Sequence, residues 1–562
     1  MLKSHKSPFL LMILLILISI GSYSYNVKSH HSKPISIDYK DFNQHWLTIL
    51  LLPLDSRPPC TQFVVQLAEM AGINLLMPPP ELLDHDQTPA NKVALRNWLY
   101  ETSKQTHVAI ISTDMLIHGS LVASRLSTGT TLDREDVLAL LETIHQEVPN
   151  LQMYIFNIIP RLILADSQGN AVFQKYMLKY SILIDQIYTF ENIEDIKKLT
   201  ALEKQIPAAV INHYIAMYEE NTKLNMRLMD MVDAGIISGL VIGQDDGQPF
   251  GIPNISKEKI QHQLLQKPHL KDKVFITRGT DEVALTLLGH IVTQRSTIQP
   301  RVFVKYSTPE ASQITMPFMP NTVGKTVEEK LNLAGCLPVD TAEQADFILY
   351  VHIGTGKNKS ALSASAHELQ NLLNQDYKVA LVDLTEDFQF SETLLPVLIK
   401  QHADITKFIA YAGWNSTSNS IGTAITQASI FNYALTKQTS LPERLSLYQQ
   451  NLEFLTARFL DDLYYQKEIN PSTNKELQRL HVDPYHLASR YYQTNYEIQK
   501  RMFSKARLLL REGLSNHPIT VDSTQGSQKI IITDLSIKTY LPWQRTFEIW
   551  LTPTLSLGMI TD

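Results

Sequence analysis

Short apolar runs rich in Ile, Val and Leu recur from Leu47 to Ala412, with amphipathic stretches between them, and this alternation limits the fold more than any other feature. The runs are Leu47–Leu54, Ile73–Met77, His107–Ser112, Leu151–Ile158, Gly239–Gly243, Val274–Thr277, Arg301–Tyr306, Phe347–Ile353, Val379–Leu384 and Phe408–Ala412. Continuous apolar runs of this length fit strands buried on both faces. The intervening pieces, such as Phe63–Ala71, Lys92–Gln105 and Arg134–Val148, carry helical periodicity. Strand–helix alternation predicts an α/β fold with a parallel sheet, barrel-like or open, covered by helices.

These strands are too many for one simple sheet, so the chain divides near residue 300, at the polar segment Gln294–Pro300. Residues 45–295 form a first α/β domain and 300–435 a smaller second one. A helical insertion at 162–237 is longer than a usual crossover and reads equally as a wall over strand ends or as a packing subdomain. Residues 440–562 read as helices, in Pro442–Tyr465 and Pro484–Gly513, followed by strand-like alternation from Gln528 to Leu557.

The N-terminus predicts the compartment. Lys3 and Lys6 precede an apolar stretch, Pro8–Ile20, that is shorter than the ~20 residues a bilayer core requires. Residues 1–24 therefore read as a signal peptide or, if uncleaved, an N-terminal anchor, and the expected location is extracytoplasmic. Any membrane contact is expected through this segment alone. The formal net charge of -6, without a basic run, excludes a nucleic-acid partner. Two cysteines, Cys60 and Cys336, exclude a disulfide scaffold, and Cys60 reads as a small buried side chain.

In parallel α/β folds functional groups gather past the carboxyl ends of strands. The first strand here runs into Asp55-Ser56-Arg57-Pro58, and the third into Asp114, His118 and Arg125. The fourth ends at Arg161, and the fifth closes on Asp245-Asp246 before a Gly/Pro loop. The sixth leads to Asp281 and Glu282, acids that also suit a helix's first turn. The last passes through Trp414, Asn415 and Asn419, where small polar residues enter a helix. Acids recurring at strand ends point to one shared cleft. No P-loop, no G-x-G-x-x-G after a strand and no G-x-S-x-G elbow occurs, which argues against nucleotide and serine-hydrolase chemistry.

The segments LPLDSRP, STDMLIHGSLVASR, GQDDGQPFG, GTDEVALTLL, YAGWNSTSNSIGTA and LPWQRTFEI resemble the signature of the bacterial family called domain of unknown function 4127. The resemblance spans about Leu47 to Ile549 and implies one conserved architecture, but no mechanism. The chain departs from the family pattern at Ser56, where an acid is common, at Ile117-His118, where Ala-Tyr is common, and at Pro160, where Met is usual.

The residues favour a carbohydrate-active hydrolase with a glycan or small-molecule substrate and no cofactor. Asp245 or Asp246 supplies one carboxylate and Asp114 or Asp55 the other. Arg57, Arg125, Arg161, Asp281, Glu282, Asn415 and Asn419 bind substrate, with Trp414 stacking on a ring. One alternative is a divalent-metal-dependent hydrolase with Asp55, Asp114, His118 and Asp245 as ligands. The other is a non-catalytic receptor for a sugar or envelope component.

Overall fold

The structure, a computed structural model, describes residues 32–34, 45–163, 171–355, 359–414 and 416–560. The N-terminal segment 1–24 and Asn415 lie outside the described residues. No helix among the described residues is long and apolar enough to cross a membrane.

A strand β1 (Ser32–Pro34) precedes two parallel sheets. The first contains β2 (Leu47–Leu52), β3 (Ile73–Leu76), β4 (Val108–Ser112), β5 (Gln152–Ile159), β6 (Gly239–Gln244) and β7 (Val274–Arg278), in the order β3-β2-β4-β5-β6-β7. The second contains β8 (Arg301–Tyr306), β9 (Leu337–Val339), β10 (Phe347–Gly354), β11 (Val379–Thr385) and β12 (Phe408–Ala412), in the order β12-β11-β10-β8-β9. Both are doubly wound, and each reverses strand order beside its first strand. The apolar runs allow a barrel-like or an open first sheet; the sheet is open. The short edge strand β9 is an addition to the expected set, because Leu337-Pro338-Val339 gives little periodicity.

Both faces of each sheet are buried, which accounts for the unbroken apolar runs. In β2, Ile49 and Leu51 face one core while Leu50 and Leu52 face another. The core containing Ile49 is shared, because the same cluster takes in Leu349 and Val351 of β10 and Val382 of β11. Helices Gln62–Met70, Val283–Ser296, Val323–Ala334 and Thr417–Lys437 pack against one another here, forming a layer between the sheets. The last is buried at every position from Thr417 to Ala434, so its polar residues lie inside the protein. Its approach to Val283–Ser296 is close: a Cβ on Gly289 would stand 3.2 Å from the Thr426 methyl.

The outer face of the first sheet is covered by helices Lys92–Ser103, Thr131–Glu147, Ala208–Asp233 and Ile252–Leu265. The insertion supplies Gln174–Phe190, Ile193–Glu203 and Ala208–Asp233. The outer face of the second sheet packs under the C-terminal region. There, Leu441–Arg458 continues through a π-helical segment, Phe459–Ile469, into Asn470–Arg479. An antiparallel meander follows, of β13 (Ile519–Ser523), β14 (Gly526–Tyr540) and β15 (Trp550–Ile560), with β1 added at the β15 edge.

Candidate functional site

Asp55 and Arg57 follow β2, and Arg57 is the centre of a buried charge network. Its Nε and Nη2 both donate to Asp55 Oδ2, at 2.9 and 2.7 Å. Nη2 also donates to Asp281 Oδ1 at 2.6 Å, and Nη1 to Asp281 Oδ2 at 3.2 Å. Asp281 comes from the loop after β7, and the Asn419 amide lies 3.5 Å from its Oδ2. Burial pushes both carboxyls up. At Asp55 the opposing Arg57 charge and hydrogen bonds win, and its carboxyl is held below the usual range. Asp281 stays above its ordinary value, because burial outweighs Arg57 and Asp55 adds repulsion.

A segment far away in sequence completes this network. The turn between β14 and β15 brings Glu548 to 3.8 Å from Arg57 Nη1. Glu548 is held by both arms of Arg545, whose guanidinium lies 4.5 Å from the centre of the Trp543 ring. The Trp543 indole N–H donates to the Ser56 hydroxyl at 3.2 Å. Asp84 is also buried here and accepts the Ser56 N–H at 2.8 Å; burial and then Asp55 push its carboxyl well up. Strand ends do not point to Trp543, Arg545, Glu548 or Asp84: a Pro-rich loop sets Asp84 off from β3, and the other three follow no parallel strand.

The second group surrounds the end of β6. Arg125 grips Asp245 with Nε at 2.7 Å and Nη2 at 2.9 Å. Asp245 is 4% exposed, whereas Asp246 faces solvent. Although exposed, Asp246 is closely surrounded by protein, and it and Arg161 line the open crevice at this end of the sheet. Surrounding protein and then the Asp245 charge push its carboxyl up to about 6, against the pull of Arg125 and Arg161. Arg161, after β5, is half-buried beside Arg125, Asp245 and Asp246. The insertion supports its loop: Tyr218 donates to the Arg161 carbonyl at 2.7 Å and Tyr214 to the Leu162 carbonyl at 2.6 Å. Gly247 N–H donates to the Phe318 carbonyl at 3.0 Å, tying this rim to the second sheet's loops.

The two groups are electrostatic neighbours, since Asp281 acts on Asp246 and Arg57 on Arg125. The structure thus brings Asp55, Arg57, Arg125, Arg161, Asp245, Asp246, Asp281 and Asn419 to one end of the first sheet. Asp114 lies beneath them. Its Oδ2 accepts the Ile158 N–H at 2.9 Å, and burial pushes its carboxyl up to about 7. Together with His118, Ser124, Arg134 and Asn221 it lines a cavity of about 20 Å³, room for about one water molecule.

Other nominated residues are placed differently. Glu282 is 2% exposed and pairs with the buried Lys330, so it braces two helices and does not face the crevice. Trp414 is 8% exposed and packs near Phe547, leaving no open face for stacking. Its backbone is fixed from behind: Gly413 N–H donates to Asp462 at 2.8 Å, and Lys467 donates to the Gly413 carbonyl. The ligand set Asp55, Asp114, His118 and Asp245 does not converge. His118 Nδ1 accepts the Gly129 N–H at 2.9 Å, and burial pulls its ring down to about 3. Among the described residues the one cluster with metal-ligand spacing is Asp55, Cys60 and Asp281. Arg57 already bonds both of its carboxylates, so a cation there would face a fixed positive charge.

Two doubly wound sheets sharing a helical layer, with an Asp/Arg crevice at strand carboxyl ends, define a two-unit parallel α/β protein with a built polar site. The chain belongs to the family described as "Protein of unknown function (DUF4127)", whose model matches residues 49–552. No curated protein matches the chain at a significant level.

Proposed function

We propose that the crevice is the active site of an extracytoplasmic hydrolase acting on a carbohydrate, with Asp246 as general acid–base. The observation that carries this is the contrast among the nominated carboxylates. Asp55, Asp114 and Asp245 are at most 4% exposed, whereas Asp246 is open to solvent and held near 6. A carboxyl poised there gives and takes a proton near neutral pH, which suits glycosidic cleavage. Asp245, fixed by Arg125, supports the raised Asp246 carboxyl through its charge, and the Asn419 side chain offers hydrogen bonds to hydroxyls. The compartment rests on Lys3, Lys6 and the apolar stretch Pro8–Ile20.

The test is turnover of a panel of aryl glycosides and of purified cell-wall glycan by the wild type and Asp246→Asn. Reducing-end release by the wild type, lowered at least ~100-fold in the variant, supports the reading. The wild-type rate should fall as pH rises through about 6 if Asp246 acts as the acid. Equal rates in both proteins would end it. One observation favours a receptor instead: Asp55, Asp245 and Asp281 are all engaged by guanidinium groups. Saturable glycan binding without turnover would decide for that role.

A further inference from the structure

We infer that Arg161 docks an anionic group of the ligand, a carboxylate or a phosphate ester, in the crevice beside Asp246. This deepens the carbohydrate reading and rests on it for the rest of the ligand. Arg161 stands apart from the other enclosed guanidinium groups. Arg57 bonds Asp55 and Asp281, Arg125 bonds Asp245, Arg278 pairs with Glu329, Arg458 with Asp461 and Asp462, and Arg545 with Glu548. Arg161 makes no ion pair among the described residues.

The geometry leaves the working end of this side chain open. Nε donates to the Ile163 carbonyl at 3.1 Å, and the residue's own carbonyl accepts from Tyr218. The neighbouring backbone is pinned as well, since Leu162 N–H donates to the Asp246 carbonyl at 2.9 Å and Asp245 N–H to the Ile159 carbonyl at 3.1 Å. Nη1 and Nη2 have no hydrogen-bond acceptor among the described residues. A planar fork held by its stem, with both tips free, is the arrangement that receives an oxyanion through two parallel bonds.

The surrounding charges point the same way. A half-buried guanidinium next to a second one is poorly compensated, and burial with the Arg125 charge lowers its hold on its proton. Asp245 and Asp246 offset this from a distance, but Asp245 is committed to Arg125. An anion on the ligand would supply the missing partner. A neutral sugar would leave it missing, so the site should separate charged glycans, such as uronic acids or sugar phosphates, from uncharged ones.

Equilibrium binding by calorimetry at pH 7.5, with the full chain, tests this using D-glucuronate, glucose 6-phosphate and D-glucose. At least one anionic sugar should bind about tenfold or more tightly than glucose, and the stronger of the two identifies carboxylate or phosphate as the preferred group. Arg161→Gln should abolish that preference, Arg161→Lys should retain part of it, and Asp246→Asn should strengthen anion binding by removing a competing charge. A wild type without preference for either anion, or an Arg161→Gln protein that keeps it, overturns the inference. Because the readout is binding, an inactive wild type would sink the hydrolase reading and leave this result standing.

Discussion

Arg57 and Asp281 bond through two nitrogens and two oxygens, at 2.6 and 3.2 Å, although the strands that deliver them are separated in the sheet by β4, β5 and β6. One guanidinium therefore locks the two flanks of the first sheet together and also neutralises Asp55. Replacing Arg57 by Met would leave adjacent buried carboxylates unpaired. The expected loss is about 3–5 kcal/mol in chemical denaturation. Arg57→Lys should recover little of it, because an ammonium cannot present a fork to two carboxylates. A Met variant as stable as the wild type would show the network to be dispensable.

Asp114 should make stability fall as pH rises. Below about pH 4 the native and unfolded chains both hold its proton; between there and about 7 the native chain alone does. The stabilisation is complete at the acid end and is lost as pH passes through about 7, amounting to about 4 kcal/mol. Asp114→Asn, which keeps an acceptor for the Ile158 N–H, should flatten this slope. Urea denaturation of both proteins at pH 5 and pH 8 gives the comparison, and identical slopes would contradict the assignment.

Cys60 should be inert to alkylation while the protein is folded. Burial pushes its thiol well up, and the Asp55 and Asp281 charges add to that. A thiolate would be a third anion within 4.8 Å of the other two ligand atoms. Iodoacetamide at pH 8 followed by mass spectrometry should leave Cys60 unmodified until denaturant is added. Rapid native labelling would show the network to be open to solvent.

Gly422 should not tolerate Ala despite alanine's better helix propensity. The new Cβ would stand 2.5 Å from Glu282 Cγ and 3.1 Å from Thr286 Oγ1. Glu282 is pinned by Lys330, so it cannot yield. Overpacking of about 1–3 kcal/mol should exceed the gain of up to about 1 kcal/mol from the helix. A lowered Tm for Gly422→Ala is the expected result; an unchanged or raised one would show that Glu282 can move.

The α/β architecture was legible because burial on both faces writes itself into runs such as Val108–Ser112 and Phe347–Ile353. Strand ends also pointed to Asp55, Arg57, Arg125, Asp245 and Asp281, since a parallel sheet carries its loops to one edge. The sequence could not reveal which charges are consumed. Arg57 and Arg125 hold local carboxylates while Arg161 does not, and nothing in the local residue order distinguishes them. Glu282 looked like a site acid until helix packing brought Lys330 to it from the second unit. Trp543 and Glu548 stayed hidden for another reason: they arrive on an antiparallel turn, which no strand-end rule anticipates.

The bond from Trp543 to Ser56 spans 487 residues. A ribosome has made both parallel sheets before the segment carrying Trp543 and Glu548 leaves the exit tunnel. Until then Arg57 has no Glu548 beside it and Ser56 no indole above it. Closure of the Arg57 network is therefore a late event in synthesis: a chain that already holds both parallel sheets keeps an unfinished network until this segment arrives.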